Sequence, residues 1–221
     1  MEFKELSSDS ILKNVVLRAL NATSLLFASP LIGLCRLETI VRPGSQRLFL
    51  GCGQFCALLP GFIGMIVRRA FYQGTIKHCS SRCHIGFGVL ICDRGAFLED
   101  HVYVGNYAML GEAVLRRGCL IGSRSSILSQ GEHHVMDDQG RWTTLARPKL
   151  FSTEIGEYAW IGEGAIIAAP VGRGAQVAAG TVVASKVPDY VMVAGNPARF
   201  VKKLYELPQE SQGDPADEKS S

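Results

Sequence analysis

Between Ile85 and Ala184 an aliphatic residue recurs about every six positions, usually followed by Gly or Ala. The run passes through Ile85-Gly86, Ile91, Phe97/Leu98, Val104-Gly105, Leu110-Gly111, Leu115, Ile121-Gly122 and Ile127. After a gap it resumes at Ile155-Gly156, Ile161-Gly162, Ile167-Ala168, Val171-Gly172, Val177-Ala178 and Val183-Ala184. Such a period fits neither the turn of an α-helix nor the alternation of an ordinary strand. It is the repeat of a parallel β-helix, in which each short strand sends one aliphatic side chain inward and a small residue turns the corner. The shorter step from Ile167 to Val171 requires a tighter corner at that point.

The rest of the chain bounds the alternatives. Its 221 residues are enough for one substantial domain with an appendage. A net charge of +3 is mild, and no basic stripe or nucleic-acid motif appears, so no nucleic-acid partner is expected. Seven cysteines, an odd number with no cleavable leader in view, read as free buried thiols of a cytoplasmic protein. The grouping His78-Cys79 and Cys83-His84 has metal-like spacing, but no second ligand pair follows it. Structural thiols are the better reading there, and no metal is expected.

Three segments follow from composition. Residues 1–74 form an apolar helical N-terminal segment. Ser8, Asp9 and Ser10 are N-cap candidates for a helix over Ile11–Leu20. From Leu48 to Val67 no charged residue occurs, and Arg47, Arg68 and Arg69 flank the run. Gly51, Gly53, Pro60, Gly61 and Gly64 interrupt it, which disfavours a plain spanning helix. Two readings stand. One is a helical hairpin turning at Pro60-Gly61, in peripheral or monotopic contact with the cytoplasmic face of the inner membrane. The other is a cap over the open end of the β-helix. Residues 75–198 hold the β-helix, and 199–221 a short basic helix (RFVKKLY) and a polar, disordered tail.

Chemistry points to the gap in the repeat. Residues 129–153 form an insertion too long for an ordinary corner. It opens with Gln130-Gly131-Glu132-His133-His134, followed by Asp137 and Asp138. A histidine suits general-base work near neutral pH, and a carboxylate neighbour would favour its charged form. Small residues at the later corners leave backbone groups open to an extended ligand. Arg199, Lys202 and Lys203 at the end of that track suit phosphates.

Over about residues 80–203 these motifs together resemble the hexapeptide-repeat acyltransferases, with bacterial sugar and polysaccharide O-acetyltransferases as the nearest subgroup. The resemblance rests on the hexads, the Gly-x-His of the insertion, the WIG-x-G-A segment from Trp160, VAAG-TVV from Val177 and the closing GNPAR from Gly195. It implies a left-handed parallel β-helix, a homotrimer with sites in the grooves between subunits, and acetyl-CoA as co-substrate. By position His133 matches the catalytic histidine, with His134 as the fallback. Glu163, Ala179, Ala184, Ser185 and Arg199 match the CoA-lining positions, although the family commonly has Thr-Lys where Ala184 and Ser185 stand. The implied activity is acetyl-CoA-dependent O-acetylation of a sugar hydroxyl, in a small molecule or a lipid-linked glycan of surface-polysaccharide biosynthesis. The alternatives are N-acetylation of an aminosugar and a non-catalytic scaffold.

Overall fold

A computed structural model of the protein describes residues 6–131, 134–144 and 150–205, with side chains from Ala19 onward apart from Thr144. Three helices precede a parallel β-solenoid of strands two to four residues long, which begins at His78–Cys79. Each turn of the chain contributes one short strand to each of three faces, and strands stack in register along a face. On the first face the inward residues are Cys79, Leu98, Leu115, Ile155, Val171 and Val187. The second carries Ile85, Val104, Ile121, Ile161, Val177 and Val193. The third carries Ile91, Leu110, Ile127, Ile167 and Val183. All of them are buried.

The hexad residues therefore form three aliphatic columns, and the short step from Ile167 to Val171 is the corner between the third and first faces. A second inward layer lies two residues before the columns. Ala96, Ala108, Cys119, Ser125, Ala159 and Thr181 are all buried there. Small side chains fit because the strands leave little room near the corners, and Ser125 satisfies its hydroxyl on the carbonyl of Gly162 at 2.8 Å. Tight corners also explain a recurrent glycine. Gly118 has φ +66°, and a Cβ there would lie 2.6 Å from the ring of Tyr158 in the next coil.

The helices close the first coil. α1 (Leu6–Val41), α2 (Arg47–Ala57) and α3 (Gly61–Thr75) pack on one another and on the first coil. An open solenoid end presents unpaired strand groups, which need partners once water is excluded. Side chains of α3 supply them. The hydroxyl of Tyr72 accepts the Ile91 N–H at 3.1 Å, and buried Arg68 donates to the Ile85 carbonyl at 3.3 Å. Arg68 also donates to the carbonyls of Leu59 (2.6 Å) and Cys56 (3.3 Å) behind α2. Phe49, Phe71 and Tyr72 fill the space with ring contacts of 5.2–6.3 Å.

Three expectations are corrected. Ser8, Asp9 and Ser10 lie inside α1 rather than capping it, and that helix runs on to Val41. The break expected at Pro60-Gly61, by contrast, is present: the uncharged stretch 48–67 is divided there between α2 and α3, and its Phe49, Cys52, Cys56, Ala57 and Val67 face the cap interior. Residues 199–203 are not a helix: Arg199–Lys203 is a strand, antiparallel to Val191–Ala194. The last coil also leaves an open edge, and pairing it outweighs the helical spacing of a seven-residue segment. Finally, the insertion 129–153 is not an irregular loop. Gln130–Gly131 pairs with Leu150–Phe151, and His134–Met136 with Trp142–Thr144, making a hairpin arm.

Candidate active site

The arm leaves the solenoid just after Ile127, where the third face turns toward the first. A cleft of about 960 Å³ opens at its base. Its floor is Met109, Ile127 and Leu128 of the third face. Gln130, Gly131, His134 and Leu150 of the arm form one wall. Gln46 and Leu50 at the start of α2, with Cys92 and Asp93, close the other side. Two hydrogen bonds hold that side. Gln46 Nε2 donates to Asp93 Oδ2 at 3.0 Å, and Arg94 N donates to Gln46 Oε1 at 3.3 Å. An apolar floor flanked by an amide, a carboxylate and an imidazole suits a polyhydroxylated ligand with one face against the floor.

A second cleft, about 1280 Å³, lies at the C-terminal end of the solenoid. Ala184, Ser185, Lys186, Arg199 and Lys203 line it, together with Pro188, Tyr190 and Tyr205. Three cations against one carboxylate, Asp189, among the lining residues suit phosphates.

The two clefts share no lining residue, yet they adjoin. Ala168 lines the first and Ala184 the second. Each follows an inward residue of the third face, and Ile167 pairs with Val183. The Ala168 N–H donates to the Val183 carbonyl at 2.8 Å. One strand spacing, about 4.8 Å, therefore separates the two alanines. Gly111 and Leu128 extend the same row toward the arm, so a corner track of mostly small residues joins the clefts.

No family model matches the chain. Among curated proteins it is similar to the bifunctional protein GlmU of Paracoccus denitrificans, 30% identical over 132 residues, which cover 54% of this chain and 29% of that protein. It is also similar to the galactoside O-acetyltransferase of Lactococcus lactis, 22% identical over 161 residues, or 72% of this chain and 65% of that one. The chain thus spans less than two thirds of either relative. The solved structure of a maltose O-acetyltransferase from Clostridium difficile matches with a TM-score of 0.61 at 16% identity, over 73% of this chain and 87% of that one. A hexapeptide-repeat acetyltransferase of Vibrio cholerae, solved with acetyl coenzyme A, matches with a TM-score of 0.52 at 18% identity, over 92% and 93%. The chain has the hexapeptide-repeat acetyltransferase fold.

Within this hexapeptide-repeat framework the predicted residues divide. Ala184, Ser185 and Arg199 come together in the C-terminal cleft, joined by Lys186 and Lys203; Lys202 is not among its lining residues. Glu163 and Ala179 are elsewhere, stacked in successive coils on the corner between the second and third faces. The carboxylate of Glu163 pairs there with Arg124, 2.6 Å from Nη2 and 3.1 Å from Nε. His134 lines the arm cleft, whereas His133 lies outside the described residues. Asp137 is not an orienting carboxylate for the described histidine. It closes the tip of its own hairpin, accepting from the backbone of Gln139 and Arg141, each at 2.9 Å, and from the Arg141 guanidinium. Those bonds, the Arg141 backbone N–H first, hold its carboxyl below the usual range.

Sequence reasoning missed Gln46, Asp93 and Ala168 as lining residues. Asp93 was findable from the repeat. It follows Ile91 by two positions, as Ser129 follows Ile127, so the two occupy the same corner row. Gln46 left no signal, because only the docking of α2 brings it there. The metal-like grouping also resolves. His78 and His84 face outward and stack on Phe97 and Tyr103, both at 4.6 Å, while Cys79 and Cys83 are buried.

Proposed function

We propose that the protein is an acetyl-CoA-dependent acetyltransferase acting on a hydroxyl of a sugar, free or carried in a surface-glycan precursor. The observation that carries this reading is the corner track from the histidine-bearing arm cleft to the basic C-terminal cleft. A long, narrow co-substrate with a reactive group at one end and phosphates at the other matches that layout. Lys186, Arg199 and Lys203 would hold the phosphates, the pantetheine chain would follow Ala184 and Ala168, and the thioester would reach the arm cleft. Related folds solved with acetyl coenzyme A support the same co-substrate.

The chemistry needs little more. The acceptor oxygen attacks the thioester carbonyl while a base takes its proton, and the collapsing intermediate releases the CoA thiolate, which regains that proton. Positioning and backbone amides supply much of the acceleration in such a direct transfer. The base is assigned to His133 from the Gly-x-His position. His134, which lines the cleft, is the alternative. A cytoplasmic setting fits both the co-substrate and the seven free thiols.

Assembly as a homotrimer fits the exposed outer side of the second face. Tyr103, Leu120 and Trp160 stack there in register, and a neighbouring subunit would cover them. A thiol-release assay with acetyl-CoA against galactosides, nucleotide sugars and polyprenyl-linked glycans tests the function. Release that depends on a hydroxyl acceptor supports it. Release with aminosugars alone moves the reaction to N-acetylation, and no acceptor-dependent release with any of these compounds overturns it.

A further inference from the structure

α1 is apolar on two sides. Ser24, Ala28, Ile32, Cys35 and Glu38 are its buried face against the protein. The opposite side carries Leu26, Phe27, Leu37, Ile40 and Val41, which are 75%, 77%, 55%, 77% and 66% exposed. A helix packed on a soluble body ordinarily turns polar residues outward. Leu58 at the end of α2 and Phe62 and Ile63 in the first turn of α3 are also exposed.

The surrounding charge indicates what covers this face. Between Ile11 and Cys92 there are nine Lys and Arg and one acidic residue, Glu38. Glu38 is turned inward, 2.9 Å from Arg94 Nη2, where it also accepts the N–H groups of Leu48 and Phe49. Arg36, Arg42 and Arg47 are exposed. A pocket of about 350 Å³ lies between the end of α1 and the start of α2, lined by Leu37, Val41 and Leu48 together with Arg42 and Arg47. Apolar side chains beside arginines match an acyl chain below an anionic headgroup. A second copy of this face would bring like charges together.

We propose that the outer face of α1 seats the protein on an anionic lipid bilayer, with the helix in the plane of the headgroups. It stays on the protein body rather than crossing the bilayer. A Cβ on Gly74 of α3 would lie 2.5 Å from Ile32, and the Cys35 carbonyl accepts from Arg94 at 3.2 Å. The docking face is thus assigned to α1 first, because Phe49, Cys52, Cys56, Ala57, Ile66 and Val67 of the 48–67 stretch turn inward while its Leu58, Phe62 and Ile63 stay exposed. This inference is independent of the acetyl-transfer reading.

Vesicle flotation of the full chain tests it. The protein is expected to float with vesicles of equal parts phosphatidylcholine and phosphatidylglycerol, less with phosphatidylcholine alone, and less at high salt. The double variant Phe27→Asp/Ile40→Asp, and separately Arg42→Glu/Arg47→Glu, should lower the bound fraction roughly tenfold or more. Melting should be unchanged, because these side chains are exposed. Absence of flotation by the unaltered protein, or equal flotation by both variants, overturns the inference. So does light scattering in which Phe27→Asp/Ile40→Asp splits an oligomer, which would give this face to a second copy.

Discussion

The solenoid body and the arm that interrupts it are built on opposite rules. In the body every turn repeats the same burial, and the chain spends one aliphatic residue per strand on an inner column. In the arm Met136, Trp142 and Phe151 are exposed, and antiparallel pairing rather than an inner core holds the strands. The repeat makes a regular track, and departures from the repeat carry the groups to which chemistry is assigned. Histidine-bearing and basic surfaces both occur where the period fails: at the arm, and at the end where Arg199–Lys203 closes the last coil.

Substitutions can break this contrast. Ile121 sits in the second-face column between Val104 and Ile161 and is fully buried. Ile121→Asp places an unpaired charge there and should abolish folding, seen as loss of the β-sheet circular dichroism signal. Trp142→Ala in the arm should leave that signal and the melting temperature unchanged. Equal damage from both would show that the arm is part of the core.

The cap comes next. Arg68→Met keeps most of the side-chain volume but strands the carbonyls of Ile85, Cys56 and Leu59. A loss of about 3 kcal/mol in denaturant unfolding is expected. An unchanged midpoint would mean that water replaces the guanidinium and that the cap is not sealed. At the other end, Arg199→Ala should raise the KM for acetyl-CoA roughly tenfold with a smaller change in kcat, as expected for a phosphate contact far from the reacting atoms. An unaltered KM would move the phosphates out of the C-terminal cleft. The smallest effect belongs to Glu163→Ala. Its pair with Arg124 joins two exposed side chains, so stability should change by less than about 1 kcal/mol.

The body was legible because its signal is local and repeated. Every hexad residue from Ile85 to Val183 is buried, and the gap in the period marked the arm. The repeat was less clear at both ends. Cys79 extends the first face where a thiol replaces an aliphatic residue, and in the last coil Val187 is followed by Pro188 rather than Gly or Ala, while Val193 keeps its small neighbour Ala194. The C-terminal strand was misread because its helical spacing is intrinsic to the segment, whereas the open edge that captures it belongs to the fold. The site was legible in the same proportion. Ala184 and Ser185 could be placed because they follow the register, Arg199 because it closes the Gly-Asn-Pro-Ala-Arg motif, and Asp93 could have been. Gln46 depends on how α2 docks, which no spacing in the chain encodes. Glu163 followed a motif, but its carboxylate is engaged with Arg124, a partner in another coil.

The arm is thus assigned the base for acetyl transfer, and the solenoid the positioning of the reactants. Steady-state CoA release by His133→Ala and His134→Ala, each checked for unchanged circular dichroism, tests this assignment most directly. One of the two variants should lose roughly 10²–10⁴-fold in kcat with little change in the KM for acetyl-CoA. If both variants keep the kcat of the unaltered protein, the base lies outside the arm and the account is wrong.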